Sequence, residues 1–230
     1  MPAQLALVLV VAVLAAANVL NNRVFPAAYP VTGLVAAAFL VAIAQGAGLG
    51  YRGLGLGRGS LVPGLRWALL VLGFVAVLYA LGAALPWTQG LFLDRRVAGA
   101  GAGQVAYQVL LRIPLGTVLL EEVAFRGVLY GLLLRERGVV AATVGSSVLF
   151  GLWHVLPALA TLPSHPLLQD RLGGAGVMLT IVGAVLATAL GGVLFCELRR
   201  LSGSLLAPLG LHYAFNGLGF LIAALVTARD

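Results

Sequence analysis

Apolar runs long enough to cross a membrane recur along the whole of this chain, separated by short clusters of arginine, glycine and proline. A spanning helix takes roughly 20 mostly apolar residues, because in hydrocarbon each backbone polar group must be satisfied within its own segment. Such runs fall at residues 3–20, 31–48, 67–85, 139–156, 177–195 and 204–228. A longer one covers 104–134 and carries Arg112, Pro114 and Gly116. At about 1.5 Å per residue it exceeds what a bilayer needs, and Pro114 with Gly116 predicts a kink or a split. Asn21, Asn22 and Arg23, with Pro26 and Pro30, read as the first turn. Span 5 ends before Pro157, and His165 falls in the proline-punctuated loop that follows. The fold expected is an all-α polytopic transmembrane bundle of seven spans, or eight if the long element splits, with residues 1–230 forming one integral membrane domain. The first run lacks a basic leader and is followed by more spans, so it reads as a transmembrane helix rather than a cleaved signal.

Composition agrees. Hydrophobic residues make up 61% of the chain and charged residues 9%, against about 25% in a soluble protein. Mean hydropathy is +1.07. The net charge of +7 is carried by arginine alone, since there is no lysine. These arginines sit at helix ends, where anionic lipid headgroups explain them; no nucleic-acid partner is expected. With the N terminus in the cytoplasm, Arg52, Arg58, Arg66, Arg135, Arg137, Arg199 and Arg200 face inward. Arg23, Arg95, Arg96, Arg171 and Arg229 face outward. A single cysteine, Cys196, excludes an intramolecular disulfide and an all-cysteine metal site.

Against this background Glu121 and Glu122 stand out, two of only seven acids, adjacent and inside an apolar stretch. An ionisable residue at membrane depth is costly and marks a functional site by default. His154, His212 and Asn216 occupy similar surroundings. Glu121 lies 13 residues before the end of its helix near 134, roughly 20 Å of rise. His154 lies 15 residues beyond the start of the next helix near 139, roughly 22 Å. A short turn joins the two helices, so carboxylate and imidazole can face each other. His212 and Asn216 are four apart on one helical face, at a depth of roughly 12–18 Å. Glu122 and Arg126 have the spacing of an i,i+4 ion pair. Glu121 projects about 100° from Glu122, which gives the two acids different tasks. Trp153 reads as packing beside the cavity or towards the interface.

A carboxylate and a neutral imidazole can hold and activate a water, and a second imidazole with an amide one turn on suits an oxyanion hole. The alternative is a divalent metal held by Glu121, His154 and His212 with an open position for water. No HExxH motif is present, and no serine or cysteine pairs with a base.

The residues themselves are familiar. Glu121-Glu122-Val123-Ala124-Phe125-Arg126-Gly127 resembles the EExxFRG motif of the CAAX prenyl protease 2 family, also called the CPBP or Abi family of intramembrane proteases. Phe150-Gly151-Leu152-Trp153-His154 resembles its FxxxH motif, and His212-Tyr213-Ala214-Phe215-Asn216 its HxxxN motif. Ser204 to Pro208 resembles the run into the latter. The three occur in order over the C-terminal half, which implies a protease core over about 104–228. The resemblance implies that Glu121 activates water beside His154, that His212 and Asn216 stabilise the oxyanion, and that Glu122 and Arg126 organise the first motif. It implies no cofactor under the glutamate-dependent description of the family, and a divalent ion under the older one. Eukaryotic members cut a prenylated cysteine peptide, while some bacterial members are linked to bacteriocin self-immunity or membrane regulation. The arginine-only basic set and short connections suggest a high-GC bacterium and its cytoplasmic membrane. The expected partners are membrane lipids and a membrane-embedded or lipid-proximal peptide. Gly127 and Gly131 are expected to let a neighbour or substrate approach the motif helix. Two rivals are a non-enzymatic immunity or scaffold protein and a small transporter with Glu121 as proton relay; the latter lacks a recognisable inverted repeat.

Overall fold

The structure, a computed structural model, describes residues 1–94, 97–161 and 166–228. Arg95, Arg96, His165 and Arg229, assigned above to loops or an end, lie outside the described residues, as does the side chain of Arg171. All regular structure among the described residues is helical. Helix α1 is Ala3–Val24, α2 is Pro26–Gly46 and α3 is Arg58–Ala84. Next comes a stretch of 59 residues, Ala102–Ala160, which would be about 88 Å long if straight. It is not straight. Gly138 takes φ 81° and ψ −179°, a left-handed conformation that glycine adopts without a Cβ penalty, and the chain reverses there. The two arms are α4 (102–137) and α5 (139–153), and Ser146 Oγ of α5 donates to Phe125 O of α4 at 2.8 Å. A short α6, Val155–Thr161, follows; then come α7, Pro166–Ser202, and α8, Leu206–Thr227. Counting both arms, the six apolar stretches found among the described residues are long and apolar enough for seven passes.

The helix ends differ from the hydropathy reading for one reason: apolar character marks the part matched to hydrocarbon, while hydrogen bonding continues into the headgroup layer. Thus α1 carries Asn21 and Arg23 in its last turns, and α3 begins nine residues earlier than expected, with Arg58 and Arg66 already helical. No split occurs at Pro114. It sits inside Gln108–Val118, a run of wide i→i+5 turns that absorbs the missing proline N–H.

The second half of α4 is the axis of the bundle. Leu120, Val123, Ala124, Phe125, Val128, Leu129 and Leu132 are buried, against neighbours that include α1, α2 and α5. In contrast α3 and α7 present most of their surface outward, as lipid-facing helices do. Arginines tie one end of the bundle together. Arg135 Nη1 donates to Ala47 O at the C terminus of α2 (2.8 Å), and Arg199 Nη2 donates to Gly53 O (3.1 Å). A cation at exposed helix carbonyls satisfies them and complements the helix dipole. Leu205 N donates to Gly55 O across the same end, so the loops around 50, 138 and 203 meet there.

Candidate active site

Glu121 and Glu122 lie in Leu119–Glu122, one α turn between two stretches of wide π-type turns, Gln108–Val118 and Val123–Leu129. Such turns recur at functional sites because they shift the register of side chains around the helix. Both acids are buried. Trp153 Nε1 donates to Glu121 Oε1 at 3.0 Å. The other oxygen, Oε2, has no hydrogen-bond partner among the described residues. Two imidazole nitrogens face it: His212 Nε2 at 3.8 Å and His154 Nε2 at 4.0 Å.

The tautomer of His154 follows from its second contact. Its Nδ1 lies 2.8 Å from Phe150 O, and a carbonyl can only accept. Nδ1 therefore carries the proton, and neutral His154 turns a bare Nε2 towards Glu121. Phe150 O is available because the His154 amide bonds to Gly151 O, three residues back, at the end of α5. The His154 side chain is 22% exposed whereas that of Glu121 is 4% exposed, so the site opens on the His154 side.

His212 is held from the opposite side. Its Nδ1 lies 2.7 Å from Glu122 Oε1, the oxygen that also accepts from Arg126 Nη1 at 3.1 Å. Phe195 of α7 stacks on the His212 ring, centroids 5.2 Å apart and planes 19° apart. Phe150 lies nearly perpendicular to both imidazoles, at 75° to His154 and 86° to His212. Arg126 is fully buried, and among the described residues only its Nη1 is hydrogen-bonded. Aromatic faces surround it instead, with its guanidinium carbon 3.9 Å from the Phe150 centroid, 4.7 Å from Phe195 and 5.9 Å from Phe125. Cation–π attraction of this kind grows when the cation is desolvated.

Glu121, His154 and His212 thus meet, and Glu122 pairs with Arg126 as the spacing required. Asn216 is placed differently. It sits in Ala214–Leu218, again of wide turns, and is exposed while His212 is buried. Trp153, read as packing, is the hydrogen-bond donor to Glu121; a buried indole N–H needs such a partner, which is the signal for it. Phe150 opens the FxxxH motif, but Phe195 had no comparable signal. Gly131 touches a neighbour: a Cβ there would lie 2.9 Å from Gly53 O. A Cβ on Gly127 would meet nothing nearer than 3.6 Å, so no close approach requires glycine at that position.

A His₂Glu set has the chemistry of a zinc site. Bonds of about 2.0–2.1 Å in a tetrahedron put ligand atoms about 3.4 Å apart. The separations of 3.8 and 4.0 Å are wider, and among the described residues no three His, Cys, Asp or Glu side chains are grouped to hold an ion. A water with hydrogen bonds of about 2.8 Å fits between Oε2 and either Nε2.

No curated protein and no solved structure matches the chain. A family model does, over residues 103–218, half of the 230-residue chain and including every residue of the site just described: the type II CAAX prenyl endopeptidase Rce1-like family. The chain belongs to this family of membrane proteases.

Proposed function

We propose that the protein is an intramembrane endopeptidase that hydrolyses peptide bonds of membrane-embedded or membrane-proximal substrates with a glutamate-activated water. The observation that carries this reading is Glu121 Oε2, a buried carboxylate oxygen without a partner, faced by two imidazole nitrogens. A water there donates one hydrogen to Glu121 Oε2 and the other to His154 Nε2. As its oxygen attacks the substrate carbonyl, Glu121 takes the proton and the C–O bond forms. The carbonyl oxygen becomes an oxyanion. His212, with Nδ1 held by Glu122, donates from a protonated Nε2, and the Asn216 amide donates from the exposed side where substrate enters. Glu121 then passes its proton to the amide nitrogen as the C–N bond breaks, leaving a carboxylate and an amine.

Glu122 and Arg126 are supporting residues in this scheme. No metal takes part in it. The protease core covers about 104–228 of a single membrane domain, in a bacterial cytoplasmic membrane.

The test is cleavage of a library of membrane-anchored peptides by purified wild type and by Glu121→Gln, each with and without a chelator. Product from wild type alone, undiminished by the chelator, supports the scheme. Loss of product with the chelator, restored by a divalent ion, transfers Glu121, His154 and His212 to metal ligation. A folded wild type that cleaves nothing favours the immunity or scaffold reading.

A further inference from the structure

Helix α5 ends at an interruption. Pro157 has no N–H, so Trp153 O, four residues before it, lacks the donor that an unbroken helix would provide. The neighbouring bonds show the gap: His154 N donates back to Gly151 O at 3.0 Å and Ala158 N to His154 O at 2.9 Å. A carbonyl without a partner inside a membrane protein is strongly unfavourable. The missing donor comes from another helix, 135 residues away in sequence: Asn18 Nδ2 of α1 donates to Trp153 O at 3.0 Å. The Asn18 amide is itself oriented. Asn22 Nδ2, one turn on, donates to Asn18 Oδ1 at 2.7 Å and to Asn18 O at 2.9 Å. With its oxygen engaged by Asn22, Asn18 turns its NH₂ to Trp153.

We propose that Asn18 is a positioning residue of the active site, supplying the hydrogen bond that Pro157 withholds and so fixing the backbone from which Trp153 and His154 project. Those two side chains meet opposite oxygens of the same carboxylate, Trp153 Nε1 on Oε1 and His154 Nε2 facing Oε2. A shift of the 153–154 peptide moves both at once. Among the described residues the hydrogen bonds of Asn18 go to Trp153 and Asn22, not to Glu121. Its catalytic consequence rests on the protease reading above, but its geometric consequence does not.

The experiment exploits the proline. Asn18→Leu removes the donor at similar volume. Pro157→Ala returns a backbone N–H that can bond to Trp153 O without Asn18. In uniformly ¹⁵N-labelled protein, the indole N–H resonance of Trp153, identified by its loss in Trp153→Phe, reports the bond to Glu121. Asn18→Leu is expected to move this resonance and speed its solvent exchange, and adding Pro157→Ala to return it towards the wild-type position. With a cleavable peptide, kcat falls roughly tenfold or more in Asn18→Leu with KM little changed, and recovers in the double variant. If Asn18→Leu alone does not fold, Pro157→Ala is compared with the double variant, and the two must agree in both readouts. An unmoved indole resonance in Asn18→Leu, or one that Pro157→Ala does not return, overturns the proposal. A wild type that cleaves no peptide overturns the protease reading and leaves the resonance to decide the role of Asn18.

Discussion

His212 Nδ1 lies 2.7 Å from Glu122 Oε1, and the same oxygen pairs with Arg126. The second acid of the pair is therefore a hinge between α4 and α8 as well as an ion-pair partner. It orients the imidazole whose other nitrogen faces the first acid. Two adjacent residues of one helix thus hold two different contacts to one histidine, Nδ1 bonded to Glu122 and Nε2 near Glu121.

That division makes the two glutamine substitutions distinguishable. Glu121→Gln removes a buried carboxylate with an unpartnered oxygen, so thermal stability should hold or rise, while cleavage falls by roughly 10²–10⁴-fold with the loss of the general base. Glu122→Gln leaves Arg126 charged and buried with no counter-charge. Breaking a buried pair from one side costs about 3–5 kcal/mol, so this variant should lose several degrees of melting temperature along with activity. Melting curves and cleavage rates on the same detergent preparations separate the two; equal melting temperatures would refute the division.

Asn216 allows a different separation. It is exposed, and among the described residues its side chain has no hydrogen-bond partner, so Asn216→Ala should leave the melting temperature unchanged. If its amide meets the oxyanion of a bound substrate, kcat should fall by roughly 10²-fold, the usual cost of one oxyanion donor. An unchanged kcat would remove Asn216 from the chemistry and leave His212 as the donor.

What was legible in the sequence divides along physical lines. Depth was legible, because rise per residue is fixed: residue counts from the turn at Gly138 put Glu121 and His154 level, and they are 4.0 Å apart. The Glu122–Arg126 pair was legible from i,i+4 spacing. Exposure was less so: Asn216 follows His212 by four residues, yet it is exposed where His212 is buried, and the wide turns around 108–129 and 214–218 carry no evident sequence mark. The contacts that orient these side chains from outside the motifs were not legible. Nothing in Phe195 announces a stack on His212, and nothing in Asn18 announces a bond to Trp153 O.

The cage around Arg126 yields a third test. The arginine is retained inside the bundle by one ion pair and aromatic faces rather than by a full set of acceptors. Adding Arg126→Met to Glu122→Gln removes the charge left without a partner. The double variant should recover part of the melting temperature lost in Glu122→Gln, a non-additivity of about 1–3 kcal/mol. Arg126→Lys should not substitute, since an ammonium lacks the planar face that stacks on Phe150. Additive losses in the double variant would show that the pair and the cage act independently.

The last test concerns two glycines four residues apart on α4. A methyl group on Gly131 would lie 2.9 Å from Gly53 O and 2.8 Å from Leu49 Cδ2. The first of these is backbone in the loop that Arg199 also grips, so it yields little. Gly131→Ala should therefore destabilise by about 1–3 kcal/mol, as overpacking does. A methyl group on Gly127 finds its nearest atom at 3.6 Å, an ordinary contact. Alanine favours the helix over glycine by about 1 kcal/mol, so Gly127→Ala should be neutral or stabilising. Both substitutions lie in the helix that carries Glu121, yet only the first should lower the melting temperature. If Gly127→Ala keeps its stability but loses cleavage, the space beside Gly127 belongs to the substrate rather than to the fold.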